Sequence, residues 1–269
     1  MIPFLSDTLS LTRAGPGLWR GEADPAYSNG LPGAALSQFG GWVAAAMLKA
    51  ALGEAPEGQH ARALSAQFFL PIRPGPLSIG VRALRKGRSI SFLQAELSQG
   101  EDVRAQAAVT VGAGRQDALA HHFAPMPEVA PSDADGLGDF SPPTPFGRML
   151  RARWIEGAPF TEASGARSLF WSRTREPTRL DAPALAMLAD YMPPRVFYVA
   201  RNFVQSSTLS LNVQFHATQA ELEAVYDRGV LADVRGRRIA DGYGDHTASF
   251  WSPDGVLLST SEQIAVHRG

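Results

Sequence analysis

Asp190 is an acid in an otherwise apolar run, Ala184-Leu185-Ala186-Met187-Leu188-Ala189-Asp190-Tyr191, just before Pro193-Pro194. At the end of a helix a carboxylate meets the negative pole of the helix dipole, and burying it without partners costs more still. The position is therefore either an exposed helix terminus or a carboxylate held for its basicity. Gly40-Gly41 opens an Ala-rich run. Free N–H groups at a helix start attract an oxyanion and glycine lets a ligand approach the backbone, although the same pair would also suit close packing on a sheet. The basic turns Arg85-Lys86-Gly87-Arg88 and Arg235-Gly236-Arg237-Arg238 could meet phosphates as charges or forks, or be solvated hairpin tips. Taken alone, Thr208 is a β-branched residue opening a strand. Gln263 sits in an alternating strand, and Gln106 holds the corresponding place in the first half.

Other chemistry is excluded by composition. With no Cys in 269 residues, thiol nucleophiles, thiolate metal sites and disulfides are all ruled out, which fits a reducing compartment. His121-His122 lacks a carboxylate or third histidine at a usable metal spacing, so no metal and no cofactor are expected. The 25 Lys+Arg against 26 Asp+Glu leave no basic excess for nucleic acid or anionic membranes. The start MIPFLSDTLSLTR is not a secretory signal and no window is long enough for a membrane span. A soluble, cytoplasmic globular protein is the expectation.

Positioning these residues requires a core, and the sequence supplies one twice. The run Phe39 to Leu52 reads as a helix apolar all round, hence buried. Strands follow at Ala63 to Leu70, Leu77 to Leu84, Ser89 to Leu97 and Val103 to Val111, separated by turn compositions. A second helix from Pro183 to Tyr191 precedes strands at Ser207 to Ala217, Glu223 to Val234, Arg238 to Trp251 and Val256 to Val266. Strand-like segments lie before each helix, at Leu9 to Glu22, Arg148 to Ile155 and Arg167 to Arg175. Local matches support duplication: Ala66-Gln67-Phe68 beside Val213-Gln214-Phe215, Lys86-Gly87-Arg88 beside Arg235-Gly236-Arg237, and Ala105-Gln106-Ala107-Ala108-Val109 beside Glu262-Gln263-Ile264-Ala265-Val266. Six prolines from Pro125 to Pro145 mark a linker. The organisation expected is an N-terminal repeat over 1–113, a proline-rich linker over 114–146 and a C-terminal repeat over 147–269. In each repeat an antiparallel sheet wraps a long apolar helix, an α+β fold.

The ordered set Phe39-Gly40-Gly41-Trp42-Val43, Phe68-Phe69-Leu70-Pro71-Ile72-Arg73-Pro74-Gly75, Leu84 to Ser89, Leu188-Ala189-Asp190-Tyr191, Thr208 to His216 and Ser261 to Val266 resembles the acyl-CoA thioesterase superfamily with a double hotdog fold, most closely the thioesterase II type. The resemblance spans nearly the whole chain outside the linker. It implies hydrolysis of a fatty or other acyl-CoA thioester by water held by an Asp, a Thr and a Gln, which fall on Asp190, Thr208 and Gln263. Asp190 would be the base, while Thr208 and Gln263 fix the water and the carboxylate. Gly41 N–H, with Gly40 beside it, would polarise the thioester carbonyl. Arg85 and Arg88 would meet the CoA phosphates. No helix carboxylate in the first repeat matches Asp190, so one functional centre per chain is expected. One stretch departs: Ser210-Leu211-Asn212 stands where the family usually carries an Asp-His-Ser-type sequence. That departure keeps open a second class, a non-catalytic hotdog protein binding an acyl-CoA or another apolar ligand. Open sheet edges imply a homo-oligomer.

Overall fold

A computed structural model describes residues 2–30, 35–115, 118–131, 138–160, 167–200 and 204–268. The chain begins with a short helix α1 (Leu5–Thr8) and a hairpin of β1 (Leu11–Gly15) and β2 (Leu18–Ala23). The small pair β3 (Ser28–Asn29) and β4 (Ser37–Gln38) leads into helix α2 (Gly40–Gly53), followed by β5 (Gln59–Phe68), β6 (Gly75–Arg85), β7 (Ile90–Gln99) and β8 (Asp102–Ala113). The second half contains β9 (Gly138–Phe140), α3 (Pro145–Met149), β10 (Leu150–Glu156), β11 (Arg167–Thr174) and helix α4 (Ala182–Ala189). It closes with β12 (Gln205–Phe215), α5 (Gln219–Val225), β13 (Val230–Ala240), β14 (Tyr243–Trp251) and β15 (Leu257–Arg268).

Among the described residues, all strands except β3 and β4 form one sheet in the order β1-β2-β6-β7-β8-β5-β12-β15-β14-β13-β11-β10-β9. Its halves meet where β5 and β12 pair antiparallel, from Ser210 opposite Gln67 to Gln214 opposite Ala63. Strands alternate buried and exposed residues, so one face carries the core and the other is polar. Helices α2 and α4 lie side by side on the core face. α2 is Ala-rich and almost wholly buried, so its low polarity is a requirement of its site.

The second helix is shorter than the expected long one. It has eight residues, begins on Asp181, whose side chain accepts from Ala184 N–H at 2.8 Å, and gives way at Asp190 ahead of Pro193-Pro194. The span Glu223 to Val234, expected as a strand, divides into α5, started by a Thr218/Glu221 capping box, and β13. Arg235-Gly236-Arg237 lies within β13 and is not a turn; the chain reverses at Asp241-Gly242, both at positive φ. Within the stretch read as a linker, Gly138–Phe140 joins the sheet beside β10, and Met126 and Val129 cover a small outer cluster of Leu169, Trp171, Leu231 and Trp251.

Duplication extends to irregularities of the backbone. The β5–β8 register shifts between Ala61 and Ala63, and β12–β15 shifts between Thr208 and Ser210, equivalent places if Ala66-Gln67-Phe68 corresponds to Val213-Gln214-Phe215. The same registers pair Gln67 with Gln106 and Gln214 with Thr260. Gln106 therefore corresponds to Thr260 on the outer face, and the first-half counterparts of Thr208 and Gln263 are Ala61 and Val109.

Candidate active site

Three elements bring Asp190, Thr208 and Gln263 together beneath the start of α2. Asp190 follows the last residue of α4, and the buried body of that helix fixes where its carboxylate points. Thr208 stands at the bulge in β12, a device that re-aims a side chain against the local pleat. Gln263 is on the core face of β15, opposite Leu211 of β12 and His246 of β14.

The side chains form one network. Gln263 Nε2 donates to Asp190 Oδ1 and, at 2.8 Å, to Thr208 Oγ1. The Thr208 hydroxyl donates to the same carboxylate oxygen at 3.5 Å. Gly40 and Gly41, at the start of α2, stand against the same carboxylate. Asp190 is 6% exposed and Gln263 4%. Burial pushes the Asp190 carboxyl up from 3.8 to about 7, opposed by Gly41 at the start of α2 and by the hydrogen bonds from Gln263 and Thr208. The positive pole of α2 also faces the carboxylate and favours its charged form. The result is an acid that is part ionised at neutral pH and has no cationic partner among these contacts.

Both glycines are needed by this geometry. A Cβ at Gly40 would stand 2.7 Å from Asp190 Oδ2, and one at Gly41 would strike the Met187 carbonyl of α4. The start of α2 is therefore packed directly against the Asp190 carboxylate and the end of α4. Phe39, beside Gly40, stacks on Phe146 at 4.3 Å between ring centroids, and Phe146 meets Tyr191 edge-on at 6.0 Å. The end of the expected linker thus supplies one ring of an aromatic wall flanking Gly40 and Asp190.

Arg85 and Arg88 are not brought to this site. Gln59, at the start of β5, donates to the Gly87 and Arg88 carbonyls at 2.8 and 3.2 Å. Thr208 lies level with the other end of β5, beyond the Ser210–Gln67 pair. Both arginines are exposed, at a hairpin tip at the opposite strand end. In the second basic stretch, Arg237 is paired with Asp245 and Glu262 on the surface. The departing stretch Ser210-Leu211-Asn212 is divided by the pleat. Leu211 is fully buried next to Gln263, whereas Asn212 bonds Ser65 on the outer face.

His246 carries no signal in the sequence that marks it for the site. It is 3% exposed on the core face of β14, in the alternation Gly244, His246, Ala248, Phe250, and a lone imidazole there reads as core until its partner across the strands is known. Among the described residues no three His, Asp or Glu side chains gather as a metal site, and no helix is long and apolar enough to cross a membrane.

A sheet wrapped on two central helices, with an amide and a hydroxyl held on the buried Asp190 carboxylate, defines a hotdog-fold protein. The acyl-CoA thioesterase N-terminal domain matches residues 28–112 and the C-terminal domain residues 121–267, so the chain belongs to the acyl-CoA thioesterase family. Among solved structures it is similar to a hot dog fold protein of unknown function from Alicyclobacillus acidocaldarius, with 29% identity, a TM-score of 0.90, and 100% of this chain and 99% of that one covered. It is also similar to the acyl-CoA thioesterase II TesB2 of Mycobacterium marinum, with 19% identity, a TM-score of 0.76 and coverage of 96% and 95%. The tesB protein of Mycobacterium avium subs paratuberculosis gives 20% identity, a TM-score of 0.75 and 98% coverage of both chains. No curated protein sequence matches the chain.

Proposed function

We propose that the protein hydrolyses acyl-CoA thioesters by direct attack of a water molecule activated by Asp190. The observation that carries this reading is the convergence of Gln263 and Thr208, beneath the start of α2, on one buried carboxylate whose pKa is raised to about 7. A base of that strength is half ionised at neutral pH, the condition under which proton transfer from water is most effective. A carboxylate has about four acceptor sites, and the donors Gln263 and Thr208 leave room for a water proton.

In the reaction Asp190 removes a proton from that water as its oxygen bonds to the thioester carbon. Collapse of the tetrahedral intermediate breaks the C–S bond, and the proton on Asp190 passes to the departing thiolate. Atoms and charge balance without a covalent acyl-enzyme. Thr208 and Gln263 hold the carboxylate in one orientation, which lowers the entropic cost of the attack. The free N–H groups at the start of α2, at Gly40 and Gly41, are the donors offered to the developing oxyanion. In the first repeat Ala61 and Val109 stand at the places of Thr208 and Gln263, so the chemistry belongs to one centre per chain.

Release of free thiol from a panel of acyl-CoAs, followed with a thiol reagent, tests the proposal. Turnover beyond one equivalent supports it. Stoichiometric binding without release would replace it by the non-catalytic binding reading.

A further inference from the structure

We propose that the outer face of the sheet along the β5–β12 seam is an interface between two copies of this chain, packed face to face about a two-fold axis. The inference does not rest on the catalytic reading, because Asp190 and Gln263 lie buried on the other face of the sheet.

Strand register fixes what the outer face presents. Across the seam Ser210 stands opposite Gln67, Asn212 opposite Ser65 and Gln214 opposite Ala63. Directly opposite residues share a face, and the residues between them, Leu211, Val213, Leu64 and Ala66, are buried in the core. The same rows continue through Gln106, Ala108 and Thr110 on β8 and through Ile264, Glu262 and Thr260 on β15. These twelve neighbouring positions carry one charged side chain, Glu262, and it is paired with Arg237. A sheet face kept in water ordinarily takes the charged residues that the core refuses, whereas a central patch depleted of charge marks the core of an interface. Charges return around the patch, at Arg82 and Glu96 on one side and at Arg235 and Asp245 on the other, as a polar rim requires. Phe92, opposite Thr110, and Ile264 are 41% and 40% exposed and stand at diagonal corners.

What the patch can pair with identifies the occupant. Amides and hydroxyls carry donors and acceptors together, so Gln67, Ser210, Asn212 and Gln214 complement their own copies, while a strongly basic or acidic partner finds no charge to meet. A two-fold axis is the arrangement in which one patch meets itself. The repeat reinforces it: Ser65 corresponds to Asn212 and Gln67 to Gln214, so the patch has an approximate two-fold of its own about the Ser65–Asn212 hydrogen bond of 2.6 Å. With about 4.8 Å between strands and about 6.8 Å between alternate residues, the twelve positions span about 400 Å². A stable interface takes about 800 Å² from each partner, so the neutral patch is its centre and the flanking strands β7 and β14 supply the remainder. The sheet edges are poorer templates. β9 has three residues and β1 has five, interrupted by a bulge, and short edge strands resist pairing.

Sedimentation and light scattering of the full chain test the proposal. Wild type should have the mass of two chains at about 10 µM. Gln67→Lys with Gln214→Lys sets like charges against each other, and should weaken association at least about 100-fold and give the mass of one chain with an unchanged circular dichroism spectrum. Ala14→Pro, in the edge strand β1, should leave the mass at two chains. Because the chain has no Cys, an introduced thiol reports geometry by itself. Mild oxidation should link Ser65→Cys, at the centre of the patch, into a covalent dimer and leave Thr12→Cys, on β1, unlinked. If the lysine pair unfolds the chain, the Ser65→Cys link decides the matter. Wild type that stays a single chain at about 100 µM, a folded lysine variant that remains a dimer, or linkage through Thr12→Cys and not Ser65→Cys would overturn the inference.

Discussion

Asp190→Asn should stabilise the fold at alkaline pH and do so less at acid pH. A carboxylate whose folded pKa lies above its unfolded value keeps its proton longer in the native state, so the fold loses stability as pH rises from the unfolded value towards the folded one. For Asp190 these values are 3.8 and about 7. Each tenfold difference in an acidity constant corresponds to about 1.4 kcal/mol, so the full penalty above pH 7 is on the order of 4 kcal/mol. At pH 5 less than half of it has developed, and at pH 8 nearly all. Asparagine has the same shape and no charge, but it turns an amide towards the start of α2, a cost that does not vary with pH. The difference between variant and wild type should therefore move by about 2 to 3 kcal/mol in favour of Asp190→Asn between pH 5 and pH 8. Urea unfolding of both proteins at the two pH values measures it, because contributions of all other titrating groups cancel in the comparison. A difference that stays constant to within about 0.5 kcal/mol would mean that Asp190 titrates as an ordinary exposed acid, and the proposed general base would be lost with it.

Three further outcomes follow from the same geometry. The kcat/KM of wild type should rise through a single ionisation near pH 7 and level off above it, since the base must be ionised; a profile flat from pH 5 to 9 contradicts this. Gln263→Ala removes a hydrogen bond that favours the charged carboxylate, so it should lower kcat at least tenfold and move that ionisation to higher pH, with Thr208→Ala acting in the same direction and less strongly. Replacing Arg85 and Arg88 together by Ala should leave KM for acyl-CoA within about twofold, because their hairpin lies at the far strand end; a tenfold rise would return them to the binding site.

Much of this arrangement is legible in the sequence because apolar periodicity speaks directly about burial. The buried α2 and α4, the four-strand run after each, and the duplication all follow from runs such as Trp42 to Leu52 and from repeated segments such as Gln67-Phe68 and Gln214-Phe215. Asp190 stands out because a charge in an apolar helix needs a reason. What is not legible depends on register and on three-dimensional approach. Gln106 matches Gln263 by local spelling, yet strand pairing sets it on the opposite face of the sheet. Arg235-Gly236-Arg237 has turn composition, but Gly236 lies in a strand, where a Cβ would meet the Arg195 side chain at 2.7 Å. Nothing in the sequence says that α4 ends where α2 begins, which is what sets Gly40 and Gly41 against Asp190 and Met187. His246 escapes notice for the same reason, its neighbour Gln263 being adjacent only across the ladder.

The central claim is that a water held by Asp190 attacks the thioester, and the steady-state rate of thiol release by wild type and Asp190→Asn at pH 8 tests it most directly. Loss of a general base predicts a fall in kcat of about 10²- to 10⁴-fold in a protein that remains folded and still binds acyl-CoA. Equal rates in the two proteins would contradict the account.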